Sequence, residues 1–408
     1  MWRIETERQE LFDVNMMISM EVSASGSFTQ EEIKESFHRA VAAFEILNTK
    51  IVMDDAGNAY YAENKAHQNH VSFSDKPLQT LIHEQERIRF QIENGEFLRL
   101  FASLNASGNN RFTFMLHHLG GDGKSLLYFI EAFFKSLNHE PAEFREIKLI
   151  HTDSLPADSK LPIFTRLFIH FFNRKWKKEK QVFTFEDMEK SFDQFWKSHK
   201  TTVEINTVPQ AELRAALETC KQAKIGYTSY DIAGRIQNNP QKTDIGLAVD
   251  GREDRNRTMS NQATGISVQY RYDRRKTLTE NAKRIHRLMR KKLNNNTYKY
   301  FILRFMAGLD PTLVDALNLE SAGYFHSSAT GKLADLLGFG SKKKDISITN
   351  LTAIDIPTEY GNLKIHEVTF VPPVVSYGKN IIGMITTDGK LIHTKHCYEK
   401  REQFQIEK

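Results

Sequence analysis

The sequence predicts an α/β (α+β) protein built from two blocks, on three observations. Helix and strand signals alternate through the first third of the chain. A stretch rich in Ser, Asp and Pro, His151 to Pro162, then interrupts them. A second alternation begins near Thr201. The expected division is 1–155 for the first lobe, 156–200 for a crossover segment and 201–408 for the second lobe. A chain of 408 residues is long enough to bury two ordinary cores.

Taken in order, Thr29-Gln30-Glu31-Glu32 has capping-box spacing, and Ile33, Phe37, Val41 and Phe44 recur at helical intervals. Phe97 to Leu104 reads as a strand, Asn105 to Asn110 as a turn and Arg111 to Leu116 as the returning strand. That strand runs straight into His117-His118-Leu119-Gly120-Gly121-Asp122-Gly123, and Ser125 to Leu137 follows as a buried helix. The crossover carries Ile163 to Phe172 and then the basic run Asn173-Arg174-Lys175-Trp176-Lys177-Lys178. It reads either as a helix packed across the lobes, the expectation adopted, or as an amphipathic surface for peripheral membrane contact. In the second block, Ala211 to Ala223 reads as a helix with Gly226 as its stop. Strands are expected at Ile245 to Val249, Ile266 to Tyr270, Ile346 to Thr349 and Leu363 to Phe370.

Composition narrows the function. Lys and Arg exceed Asp and Glu by five, too small a surplus to indicate nucleic-acid binding. Cys220 and Cys397 make no disulfide framework and no CxxC motif. The start, Met1-Trp2-Arg3-Ile4-Glu5-Thr6-Glu7-Arg8, lacks the apolar core of a signal peptide. The nearest apolar run, Leu161 to Phe172, is short and carries Arg166 and His170. The expected location is cytoplasmic and reducing.

Two adjacent histidines, three spacers and Asp-Gly form a tight pattern, expected by chance in a chain this long on the order of one time in a thousand. Acyl transfer from a thioester needs an acceptor hydroxyl or amine deprotonated as it attacks. An imidazole titrating near neutrality can take that proton. An inward-held aspartate is costly unless paired, so Asp122 calls for a cationic partner. Gly120, Gly121 and Gly123 allow a sharp turn and close approach to a ligand.

His117 to Gly123 resembles the HHxxxDG motif of the chloramphenicol acetyltransferase-like superfamily, which includes condensation domains and alcohol acyltransferases. Gly226-Tyr227-Thr228 within Leu213 to Ile236 is similar to that superfamily's helix–"gvT"–helix passage. Val249-Asp250-Gly251-Arg252 with Met259-Ser260-Asn261 is similar to its "DLR … GN" segment, with Gly251 in place of Leu. Ile346 to Asn350 and Gly383 to Tyr398 resemble its closing strands, and there is no DFGWG segment of the plant BAHD type.

The resemblance implies two chloramphenicol acetyltransferase-like lobes with an active-site tunnel between them. It implies His118 as general base, with His117 positioning, Asp122 structural and paired with Arg252, and Gly123 beside the donor's pantetheine arm. Ser347, Thr349 and Asn350 become candidate oxyanion donors or site-strand residues. Arg252, Arg255 and Arg257 are candidate contacts for coenzyme A phosphates, with Arg255 and Arg257 expected instead on a solvated loop. No tightly bound cofactor is implied; the co-substrate would be acyl-CoA or acyl-phosphopantetheine. The partners would be an acyl thioester donor, a small-molecule or lipid acceptor and, in a condensation-type alternative, a carrier protein. A non-catalytic scaffold retaining the fold is the other alternative.

Two other chemistries fit poorly. A Walker A loop needs a glycine where His118 stands, and Lys124 is expected on a solvated helix start. Adjacent strand histidines point to opposite faces, so His117, His118 and Asp122 are not expected to hold a metal. His393 and His396 read as ordinary core or surface histidines.

Overall fold

A computed structural model describes residues 1–252, 256–337, 344–376 and 378–399. The first third contains β1 (Trp2–Arg3), β2 (Met17–Ser25), α1 (Gln30–Ala42), β3 (Thr49–Met53), β4 (Ala59–Glu63) and β5 (His70–Phe73). It continues through α2 (Leu78–Gln85), β6 (Leu98–Ser103), β7 (Asn109–His117) and α3 (Gly123–Leu137). The crossover holds α4 (Ile163–Trp176) and α5 (Phe185–Ser198). Then come β8 (Thr201–Val208), α6 (Gln210–Ala223), α7 (Tyr227–Ile236), β9 (Lys242–Asp250), β10 (Ala263–Arg271) and α8 (Leu278–Leu293). The helices α9 (Asn296–Lys299), α10 (Phe301–Gly308), α11 (Pro311–Ser321) and α12 (Ser328–Leu337) follow. The chain closes with β11 (Ile346–Ala353), β12 (Glu359–Tyr360), β13 (Leu363–Val371), β14 (Asn380–Thr387) and β15 (Lys390–Tyr398).

Local chemistry sets the elements that frame the site. The Thr29 hydroxyl accepts from the Glu32 amide at 3.2 Å, and Glu32 accepts from the Thr29 amide at 2.7 Å, so α1 starts on a complete capping box. Its Ile33, Phe37 and Val41 are buried against α3, whose own length is almost wholly inside. Edge-to-face contacts between Phe129, Phe133 and Phe114 tie α3 to β7.

Two six-stranded sheets carry the architecture. The first has order β12-β13-β2-β7-β6-β5, and the second β10-β9-β11-β14-β15-β8. The lobes exchange chain. β13 pairs with β2, from Lys364 beside Ser25 to Val371 beside Ser19, so Leu363–Val371 completes the first sheet although the sequence division put it with the second. Phe305, Met306, Leu313, Leu317 and Leu333 of α10 to α12 likewise join the first lobe's core. An alternating strand pattern fixes which face is buried, not which sheet receives it.

At α6 the expected stop moves. Lys224 takes the left-handed cap position with φ 54°, while Gly226, at φ −80°, stands just before α7.

Candidate active site

The strand β7 ends on His117, whose amide donates to Phe97 O at 2.8 Å; the His118 amide donates to Met16 O at 2.9 Å. The chain then turns through a single short 3-10 turn, His118–Gly120, into α3. Neighbouring residues at a strand end face opposite ways, and the two rings diverge accordingly. His117 points back into the first lobe. Its Nδ1 accepts from the Leu119 amide at 3.2 Å and its ring meets the edge of Phe90. Burial, reinforced by the neighbouring His118, Arg89 and Arg99 charges, pulls its pKa down to about 3, so it is held neutral.

His118 instead faces a cleft of about 570 Å³ between the lobes. Its walls come from β2, the turn and α3 on one side and from β9, β10 and β11 on the other. The Nδ1 of His118 lies 3.5 Å from Glu10 Oε2, at the outer limit of a hydrogen bond, and the two form an ion pair when the ring is protonated. That nitrogen is out of solvent, while the side chain as a whole is 17% exposed. The accessible part is therefore the opposite edge, which carries Nε2. Burial opposes protonation of the ring, but the Glu10 carboxylate, then the Asp122 charge and the residue's own backbone carbonyl, outweigh it and raise the pKa above its ordinary value.

Glu10 is a site residue that sequence reasoning missed. It lies in a short turn, Arg8–Glu10, more than a hundred residues from the motif, and nothing local marks it. Asn261 donates to its Oε1. Behind it sits Glu7, whose carboxyl is pushed up to about 8 by burial and by the nearby Glu10 charge. The Tyr61 hydroxyl lies 2.9 Å from Glu7 Oε1 and 2.8 Å from Leu119 O. The basic edge of the cleft thus rests on a buried acidic pair.

Asp122 caps α3 and binds the second lobe. Its Oδ1 accepts from the Ser125 amide at 2.9 Å, and its Oδ2 from the Gln262 amide at 2.9 Å. Arg252 Nη1 lies 2.9 Å from Oδ2, with both side chains nearly inaccessible at 4% and 7%. Burial works against the Asp122 charge, but Arg252 and the two amides hold its carboxyl below the usual range. Pairing of Asp122 with Arg252 is therefore a feature of the structure.

Two glycines are fixed by close backbone approach. Gly121 has φ 148°, and a Cβ there would fall 2.2 Å from Met259 O. A Cβ on Gly251 would fall 2.6 Å from Gln262 O, while its amide donates to that same carbonyl at 2.8 Å. The departure from Leu at this position thus goes with a contact that leaves no room for a large side chain. At Gly121, protein backbone rather than a ligand makes the approach.

The second-lobe wall is looser. Thr349, Asn350 and Leu351 of β11 line the cleft, and Gly123 faces Leu351 and Phe370. Asn350 Nδ2 donates to Thr228 Oγ1 at 3.0 Å, joining two of the softer sequence signals. Ser347 does not line the cleft; it lies along β11 between Gly246 and Ile381. Residues two apart on a strand share a face but sit about 6.6 Å apart.

Lys124 does stand in the first turn of α3, but half-buried rather than free in solvent: it lines the cleft and pairs with Asp355 at 3.1 Å. Nor is Arg257 on a free loop. It pairs with Glu131 and lies over the Tyr128 ring at 4.9 Å. Arg255 lies outside the described residues. His396 pairs with Glu86 at 2.7 Å and His393 with Arg235 at 3.1 Å, two separate environments.

No protein-family model and no curated relative matches the chain. Solved structures do. The trichothecene 15-O-acetyltransferase TRI3 from Fusarium sporotrichioides superposes with TM-score 0.65 at 14% identity, covering 98% of this chain and 91% of that one. Polyketide synthase associated protein 5 from Mycobacterium tuberculosis gives 0.62 at 12% identity, over 97% and 92%. The first condensation domain of the CDA synthetase gives 0.61 at 10% identity, over 96% and 87%. At these identities the likeness is one of fold: the chain has the two-lobed architecture shared by condensation domains and this acetyltransferase.

Proposed function

We propose that the chain is an acyltransferase that moves an acyl group from a thioester to an alcohol or amine, with His118 as general base. The observation that carries the reading is the setting of His118: Nδ1 buried against Glu10, the Nε2 edge toward an inter-lobe cleft. In the proposed reaction the acceptor attacks the thioester carbonyl carbon while Nε2 takes its proton. The resulting imidazolium is stabilised by Glu10, as a buried carboxylate stabilises a catalytic histidine elsewhere. The tetrahedral centre then breaks its C–S bond, and the departing sulfur recovers the proton. No serine or cysteine nucleophile is involved, so no acyl-enzyme forms.

The other assignments follow from position. Asp122 and Arg252 lock the turn that aims the ring. Gly123, at the opening of α3, lines the cleft where a pantetheine arm would pass, and a Cβ there would crowd Leu351 and Phe370 at 3.1–3.2 Å. Thr349 is better placed than Ser347 or Asn350 to meet a developing oxyanion, because the Asn350 amide is already engaged by Thr228. The donor is acyl-CoA or an acyl-phosphopantetheine on a carrier protein.

Thiol release from a panel of acyl-CoAs and acylated carrier proteins, with a cell extract as acceptor source and mass spectrometry of the products, tests the reading. Turnover with free acyl-CoA makes it a stand-alone transferase, and turnover only with carrier protein makes it condensation-type. Silence with every donor overturns it in favour of a scaffold.

A further inference from the structure

The helix α4 buries one face and leaves the other bare. Ile169, Phe172 and Trp176 point inward, with the Trp176 indole N–H donating to Thr312 Oγ1 at 2.8 Å and Phe168 against Phe305 of α10. The helix expected across the lobes thus packs on the core that α10 to α12 share with the first lobe. The opposite face is the surprise: Phe164 is 81% exposed, Phe171 60%, and Ile163 and Leu167 59% each. Single exposed apolar residues are ordinary, but four large ones at helical spacing on two successive turns form a patch. Around them Lys160, Arg166, Arg174, Lys177 and Lys178 are exposed, and no acidic residue occurs between Asp158 and Glu179. None of these five cations is in an ion pair among the described residues. Cation and apolar side chain thus alternate along one strip with no countercharge of its own.

We propose that this strip docks on an anionic lipid surface, with α4 lying in the plane of the bilayer interface. Apolar side chains flanked by unpaired cations are what such an interface accepts: the rings enter the acyl boundary and the long basic side chains reach the headgroup charges. At 14 residues the helix is about 21 Å long, too short for the roughly 30 Å hydrocarbon core, so it lies on the membrane rather than crossing it. Charge complementarity selects this occupant over a second copy of the chain. Two copies meeting through this face would bring two all-cationic strips into one interface. The inference is independent of the chemistry at His118.

The test is flotation of the full chain with vesicles of phosphatidylcholine alone or mixed with phosphatidylglycerol. Flotation is expected with the mixed vesicles only, weakening as salt rises. The double variant Phe164→Glu with Phe171→Glu should lose it, and Lys177→Glu with Lys178→Glu should weaken it severalfold. Both pairs are on the surface, so thermal midpoints should match the parent and exclude misfolding. Failure of the parent to float with the mixed vesicles overturns the proposal, as does unchanged flotation of the Phe164/Phe171 variant. A concentration-dependent dimer that this variant abolishes, with vesicles ignored, identifies a second copy as the occupant and overturns it equally.

Discussion

The two walls of the cleft are built differently. On the first-lobe wall the groups around the motif are held by buried partners: His118 by Glu10, Glu10 by Asn261, Asp122 by Arg252 and two backbone amides. On the second-lobe wall Thr349 and Asn350 are half-buried, on a strand whose register shifts between Asn350 and Ala353. A group that must meet a proton in one geometry benefits from a rigid surround, since a displacement of about 1 Å can cost two orders of magnitude in rate. A wall that must fit a substrate has no such constraint. Under the proposed function, the contrast would put the proton chemistry on the first lobe and substrate choice on the second.

Substitutions can break that contrast at its strongest point first. His118→Ala should still fold and lose about two to four orders of magnitude in thiol-release rate, the usual worth of a general base. Full activity would remove the first wall from the chemistry. Next, Arg252→Ala should cost about 3–5 kcal/mol in denaturant unfolding, because it strands a buried carboxylate. Asp122→Asn should cost less, and the double variant less than the sum. Additive effects would mean that the two residues stabilise the fold separately.

A smaller effect is expected at Glu10. Its negative charge raises the His118 pKa, so Glu10→Gln should move the acid limb of the pH–rate profile to lower pH while slowing the reaction. A limb that stays in place would show that Glu10 does not touch the catalytic charge. The smallest effect is on stability and comes from His117. The unfolded ring binds its proton near 6.5 but the folded one only near 3, so the native state loses stability as pH falls below 6.5. At about 1.4 kcal/mol per unit, a drop to pH 5 should cost up to about 2 kcal/mol. His117→Asn, which keeps an acceptor for the Leu119 amide, should reduce that loss, as read from unfolding midpoints at the two pH values.

What the sequence made legible is what is local. The His117–Gly123 run, the strand before it and the helix after it are set by contiguous residues, and α1 announces itself through Thr29 and Glu32. Asp122 with Arg252 was reachable only through the resemblance, since 130 positions separate them. Glu10 and Glu7 carried no signal at all, because a buried acid is spelled like an exposed one. At Gly226 the sequence misled for a physical reason: glycine is the cheapest left-handed residue, yet here Lys224 takes that conformation. The exposed face of α4 was visible as composition, but only its neighbours reveal which side was left uncovered.

The most direct measurement is an NMR titration of the His118 ring in the resting protein, set beside the pH dependence of kcat/KM, which reports the free enzyme's essential base. The ring should titrate above 6.5 and coincide with the acid limb, and both should move down together in Glu10→Gln. A ring that titrates well away from the limb, or a limb that persists in His118→Ala, would contradict the assignment of His118 as the base.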